Sequence, residues 1–180
     1  MGNTGMRITA FTGAADEVAA ITAIYRYWVE NGIASFELTA PDETEMAQRL
    51  QGLHEKGYPV LIGRAGSGDD QDIIGYTYAS AYRPRPAYGA TVEDTVYVAP
   101  GYHGGGSGRA LLTALIAACE SRPYKQMIAV IACEQASDAP DNMASVRLHA
   151  KLGFRSSGRL RGIGKKHGRW LDTVLMQREL

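Results

Sequence analysis

The sequence predicts a mixed α/β domain in which helices flank one sheet and one parallel strand pair is joined across a helix. Three observations predict it. The chain has 180 residues, the size of one domain. Short β-branched runs alternate with amphipathic helical stretches along its whole length. A strand at Thr91–Val98 is followed by an apolar helix and then by a strand at Met127–Cys133, an order that calls for a crossover.

Each element has its own signal. Arg7–Phe11 reads as a first strand. From about Ala14, the residues Val18, Ile21, Tyr25 and Trp28 recur at helical spacing until Asn31-Gly32 stops them. Asp42 followed by Glu45 is a capping-box-like start for a second helix, whose apolar face is Met46, Leu50 and Leu53, and Lys56-Gly57 ends it. Tyr58–Arg64 and Ile73–Tyr82 read as strands around a loose hairpin loop at Gly66–Asp70. Arg83-Pro84-Arg85-Pro86 cannot continue a central strand, because proline has no ladder donor. Leu111, Leu112, Leu115, Ile116 and Cys119 mark the apolar helix after Thr91–Val98. A polar loop at Ala136–Asp141 leads to a helix over Asn142–Lys151, and Phe154–Arg161 and Trp170–Glu179 close the sheet. No repeat or linker interrupts residues 1–180, read as one domain with a flexible start at residues 1–5.

Composition excludes several classes of function. Nineteen basic residues offset nineteen acidic ones, so no broad positive field attracts nucleic acid or anionic membrane. Cys119 and Cys133 fall in apolar runs without ligand spacing, which predicts small buried hydrophobes and no metal or disulfide framework. The first residues lack the regions of a signal peptide, and no apolar run approaches the roughly 20 residues of a membrane span. A soluble protein of the reducing cytoplasm is expected.

Glycine is the outlier: 21 residues, where about 7% of a chain is usual. Five fall in Gly101-Tyr102-His103-Gly104-Gly105-Gly106-Ser107-Gly108-Arg109, between a strand and a helix. Such backbone at a helix start binds anions through its N–H groups, although a flexible loop is the plainer reading. The nucleotide P-loop fails because Gly108 is followed by Arg109-Ala110. The dinucleotide pattern fails because its last position is Arg109 or Leu111. His103-Gly104-Gly105-Gly106 copies an esterase oxyanion motif, but no GxSxG elbow accompanies it.

A fourth pattern fits. Residues 102–112 resemble the acyl-CoA pyrophosphate loop of the GNAT superfamily of N-acetyltransferases, with Gly106 and Gly108 at the two glycine positions. His103 stands where glutamine or arginine is usual, which weakens one phosphate contact. Asn142-Met143-Ala144-Ser145-Val146-Arg147-Leu148-His149 through Gly153-Phe154 resembles that superfamily's helix beside the pantetheine arm. Thr91-Val92-Glu93-Asp94-Thr95-Val96-Tyr97-Val98, Ser35-Phe36-Glu37 and Gly164–Asp172 are similar to segments of the phosphinothricin and methionine sulfoximine acetyltransferases within it. The stretch Cys133–Asp141 is longer than that family's usual turn.

The resemblance implies the GNAT fold, a mostly antiparallel sheet with a splayed parallel pair, and acetyl-CoA as co-substrate without a metal. It also implies a homodimer and a small amino-acid acceptor. Glu93 is the implied base, and the N–H groups of Val96, Tyr97 and Val98 polarise the thioester. His103, Gly104, Gly105, Gly106, Ser107, Gly108 and Arg109 hold the pyrophosphate. Asn142 and Ser145 bind the pantetheine arm, or Ser145 serves as a helix cap. His149 stands where relatives carry the acid for the leaving thiolate; it fills that role, assists Glu93, or is structural. Arg83 and Arg85 offer guanidinium groups to an acceptor carboxylate, or are solvated, while Phe36 and Tyr88 wall its side chain. Lys165, His167 and Trp170 approach the acceptor or a neighbouring subunit. The alternatives are acetylation of a protein N-terminus or polyamine, and acyl-CoA sensing without catalysis.

Overall fold

Within residues 5–67, 70–135 and 143–180, which the computed structural model describes, seven strands form one mixed sheet. In chain order the elements are β1 (Arg7–Ala10), α1 (Ala15–Asn31), α2 (Glu43–Glu55), β2 (Val60–Ser67), β3 (Asp70–Ala81) and β4 (Thr91–Val98). They continue as α3 (Ser107–Glu120), β5 (Gln126–Glu134), α4 (Ala144–Lys151), β6 (Arg155–Lys166) and β7 (Arg169–Glu179). The strands lie in the order β1-β2-β3-β4-β5-β7-β6, and every neighbouring pair is antiparallel except β4–β5. The predicted helix-crossed parallel pair is therefore β4–α3–β5. Among the described residues, no helix is long and apolar enough to cross a membrane.

Apolar spacing decides which side of the sheet each helix covers. Val18, Ile21, Tyr25 and Leu50 of α1 and α2 join Ile62 and Tyr76 in a core on one face. Leu112, Leu115 and Cys119 of α3, with Val146 and Phe154, join Val92, Met127 and Cys133 on the other. Both cysteines are buried, and burial pushes their thiols upward, Cys119 to about 12, as inert hydrophobes require. The predicted start of α2 is a true cap: the Glu45 N–H donates to Asp42 Oδ1 at 2.8 Å. Gly57, at φ +77, turns the chain out of that helix.

Two boundaries differ from expectation. β2 and β3 continue to Ser67 and from Asp70, so the hairpin connection is shorter than Gly66–Asp70. β6 runs on to Lys166 because two register shifts against β7, at Ser156/Gly158 and Leu160/Gly164, absorb residues that alternation alone cannot place. Gly158 and Gly162 take φ of +145 and +58 there.

The fully buried Asp172 of β7 holds the second irregularity. Its Oδ1 accepts from the Gly162 N–H and its Oδ2 from Arg159 Nε, each at 2.7 Å. The long hairpin then reaches the segment after α1, where Lys166 Nζ donates to the Ser35 carbonyl at 2.7 Å and His167 Nε2 lies 3.3 Å from the Gly32 carbonyl.

The Gly162 amide foremost, with Arg159 also acting against burial, holds the Asp172 carboxyl below its ordinary value. A depressed folded value means stability present above the unfolded pKa of about 4 and lost as pH falls through the folded one. Thermal melts of Asp172→Asn should therefore show a lower Tm than wild type at pH 7, with the gap narrowing below about pH 4.

Candidate active site

The parallel pair is short. β4 and β5 are in register only at Thr91/Gln126, Val92/Met127 and Glu93/Ile128. Beyond Glu93, β4 stays on β3 as far as Val98, and β5 stays on β7 as far as Glu134. The two strands separate, and a cavity of about 540 Å³ opens through the sheet between Asp94–Tyr97 and Ala129–Ala132.

Ladder alternation decides which polar groups face this gap. The Ala99 N–H donates to Ile74 of β3, whereas the Ala90 carbonyl accepts from Lys125 on the β5 side. Odd-numbered amides of β4 thus serve β3, that of Asp94 completes the last pairing with β5, and those of Val96 and Val98 point into the gap. Of the three amides expected there, Tyr97 is corrected: its N–H belongs to the β3 ladder. The Val98 carbonyl accepts from Trp28 Nε1 at 2.9 Å, so α1 is tied to the same edge.

The glycine cluster sits where β4 feeds α3. Gly101, Gly104 and Gly106 take φ of +87, +81 and +93, in the left-handed region that side chains resist. Gly106 caps α3, and the N–H groups of Ser107, Gly108 and Arg109 that follow have no acceptor within the helix. At Gly104 and Gly106 a Cβ would project into open space. This concave backbone, at the positive end of a helix dipole, fits a pyrophosphate. Arg109 is exposed beside it, and Gly105 lies within the same turn. The exposed His103 stands with its ring edge-on to Trp28, 5.1 Å between centroids, which anchors the loop to α1.

Glu93 and Asp94 are neighbours whose side chains leave opposite faces of β4. Glu93 lies at the fork, with Tyr78 nearby on the α1 face. Burial first, and then the charge of Asp94, push its carboxyl up to about 7. Asp94 faces α4, where its Oδ2 lies 3.0 Å from His149 Nε2. His149 Nδ1 lies 2.7 Å from the Ser145 carbonyl and 3.4 Å from the Ser145 hydroxyl. Burial opposes a charged imidazole, but the hydrogen bond and charge of Asp94 and the Ser145 carbonyl outweigh it, so His149 is raised. His149 therefore partners Asp94 and does not touch Glu93. Ser145 is within α4 and is not its cap, which is Met143. Its side chain lines the gap with that of His149. Asn142 and most of the long stretch before it lie outside the described residues.

The α1 face of the gap is aromatic. Tyr25, Phe36 and Tyr78 line it together with Glu93. Phe36 lies flat on β6: a Cβ at Gly164 would overlap its ring. Arg83, Arg85 and Tyr88 are not in this lining; they occupy the segment between β3 and β4, where the Arg83 guanidinium covers the rings of Tyr82 and Tyr88 at 5.2 and 5.9 Å. Lys165 covers the exposed Trp170 ring at 5.8 Å. Sequence reasoning missed Asp94, Trp28 and Tyr78. Alternation along Thr91–Val98 was a usable signal for Asp94, since it puts two adjacent carboxyls on two faces; the other two had none beyond apolar spacing.

Comparison with known proteins matches this geometry. Residues 21–154 match the acetyltransferase (GNAT) family model. A phosphinothricin N-acetyltransferase of Alcaligenes faecalis is 48% identical over 92% of this chain and 79% of its own length. An L-methionine sulfoximine/L-methionine sulfone acetyltransferase of Pseudomonas paraeruginosa is 34% identical over 93% of this chain and 91% of its own. The crystal structure of a GNAT superfamily phosphinothricin acetyltransferase from Sinorhizobium meliloti, in complex with AcCoA, superposes with a TM-score of 0.84 at 40% identity, covering 97% of this chain and 88% of that one. With a sheet split beside a glycine-built anion cradle, and relatives matched over nearly its whole length, the chain belongs to the GNAT family of acetyltransferases.

Proposed function

We propose that the protein acetylates the α-amine of small amino-acid analogues of the phosphinothricin, methionine sulfoximine and methionine sulfone class, with acetyl-CoA as donor. The observation that carries this reading is Glu93, a carboxyl raised to about 7 where the split opens onto the aromatic face. The names borne by the similar proteins support the acceptor class.

Bound in the gap, acetyl-CoA supplies the thioester carbonyl that an amine attacks. Residues 103–109 hold its pyrophosphate, and Ser145 and Asn142 its pantetheine arm. The N–H groups of Val96 and Val98 stabilise the negative charge that grows on the carbonyl oxygen. A carboxyl raised to about 7 is a stronger base than an ordinary carboxylate, and so is better matched to taking the proton of the acceptor's α-ammonium group. His149, charged beside Asp94, is the acid for the departing sulfur: its Nδ1 proton passes to the Ser145 hydroxyl, 3.4 Å away, as that hydroxyl gives its own proton to the sulfur. Phe36, Tyr25 and Tyr78 enclose the acceptor's side chain. The exposed Leu160, Ile163 and Trp170 of the β6–β7 hairpin support a homodimer joined through that region. Two buried free cysteines accord with a cytoplasmic setting.

Thiol release from acetyl-CoA should be fast with phosphinothricin, methionine sulfoximine or methionine sulfone, and near background with spermidine or an N-terminal alanine peptide. No rate above hydrolysis with any of the three analogues overturns the acceptor class. Glu93→Gln should lower kcat by about 10²–10⁴-fold with acetyl-CoA affinity kept, and should abolish the acid limb that Glu93 sets near pH 7 in the wild type. Gly164→Ala displaces the Phe36 ring, so KM for the amine should rise while KM for acetyl-CoA is unchanged.

A further inference from the structure

Asp94 is the charged group that the machinery above leaves without a task of its own. It is 8% exposed, and its Oδ2 meets His149 Nε2 at 3.0 Å. Its Oδ1 is buried and finds no partner among the described residues, so the imidazole is what balances the carboxylate. On the far side of the ring, Nδ1 faces the Ser145 carbonyl at 2.7 Å, an acceptor that carries no proton to give. A ring with a carboxylate at one nitrogen and a carbonyl at the other is satisfied when both nitrogens carry hydrogen. The edge of the ring rests on Phe154, 4.9 Å between centroids, which fixes its plane.

We infer that Asp94 is a positioning residue: it holds His149 as the doubly donating imidazolium and stands its own negative charge behind Glu93 on the opposite face of β4. One carboxylate thereby acts on both groups that flank the split, adding to burial at Glu93 on the acceptor side and opposing it at His149 on the α4 side. The arrangement is electrostatically economical, because an opposite charge favours the charged form of His149 while a like charge favours the neutral form of Glu93. Both groups stand above their ordinary values, and Asp94 contributes to each shift.

Among the described residues that line the gap beside His149, Glu93 is the one other charged group besides Asp94. From α3, Cys119 feels the same carboxylate and is neutral, its thiol pushed up to about 12 by burial. β5 presents Ala129, Val130, Ile131 and Ala132 to the gap, and α4 itself offers the Ser145 backbone and hydroxyl. Glu93 is the remaining carboxyl of the lining, one residue from Asp94 and directed to the other face.

Asp94→Asn keeps the shape and still accepts from Nε2–H, but removes the charge. The titration of the His149 Cε1–H proton is followed by NMR in the wild type and the variant, alongside the pH profile of kcat. In the wild type the ring should titrate above the ordinary value of about 6.5, and in Asp94→Asn its midpoint should fall by roughly one to three units. Both limbs of the rate profile should move to lower pH together, the acid limb because Glu93 loses a like charge and the alkaline limb because His149 loses an opposite one. A purely structural role would lower the profile without moving either limb.

A wild-type midpoint at or below 6.5 overturns the inference without recourse to any variant, and so does an unchanged midpoint in Asp94→Asn. The rate arm rests on the assignment of Glu93 as base and His149 as acid, and the NMR arm does not. A midpoint that falls while the limbs stay in place upholds the electrostatic role of Asp94 and overturns those catalytic assignments instead.

Discussion

Every functional feature of this protein follows from the place where β4 and β5 stop pairing. Three registered positions join them, and each strand then keeps its full ladder with its outer neighbour, β3 or β7. The separation therefore sacrifices hydrogen bonds along one seam only. Backbone N–H groups in the middle of a sheet normally satisfy one another; here those of Val96 and Val98 are left pointing at a ligand-sized space. The glycine turn follows Val98, because β4 must pass into α3 there, and its His103 packs on Trp28, which lines the same space.

The split also joins two faces of unlike character. On the α3–α4 side, Asp94, Ser145 and His149 surround the gap with charge and hydrogen bonds. On the α1–α2 side, Tyr25, Phe36 and Tyr78 present rings. Glu93 belongs to the second face and Asp94 to the first, although they are adjacent in sequence. Strand alternation thus puts one raised carboxyl toward the aromatic face and one partnered carboxylate toward α4 within a single dipeptide. The β6–β7 hairpin completes the aromatic face, since Lys166 and Gly164 hold the segment bearing Ser35 and Phe36.

Much of this was legible from local chemistry. Asp42 and Glu45 announced α2, Gly32 and Gly57 ended helices, and β-branched runs marked β4 and β5, because each signal acts within a few residues of itself. The extent of β6 was not legible: its second register shift depends on a carboxylate of β7, Asp172, that reaches the chain from ten residues away in sequence. The reading of Arg83 and Arg85 as cations for an acceptor carboxylate, and of Tyr88 as a wall beside it, rested on nearness to Glu93 in sequence. The turn after β3 leaves all three outside the cavity lining, with Arg83 spent on two rings.

By itself the sequence determined the order of elements, the glycine turn, the carboxyl at position 93 and the family to which these belong, all properties carried by short segments in a set order. Tertiary structure alone decided which amides of β4 are free, that His149 answers to Asp94 and not to Glu93, and that one cavity joins the α4 face to the aromatic face. Those are questions of direction and distance between segments tens of residues apart. Direction in a strand reverses at every residue, so it is settled only when the neighbouring strands and helices are in place.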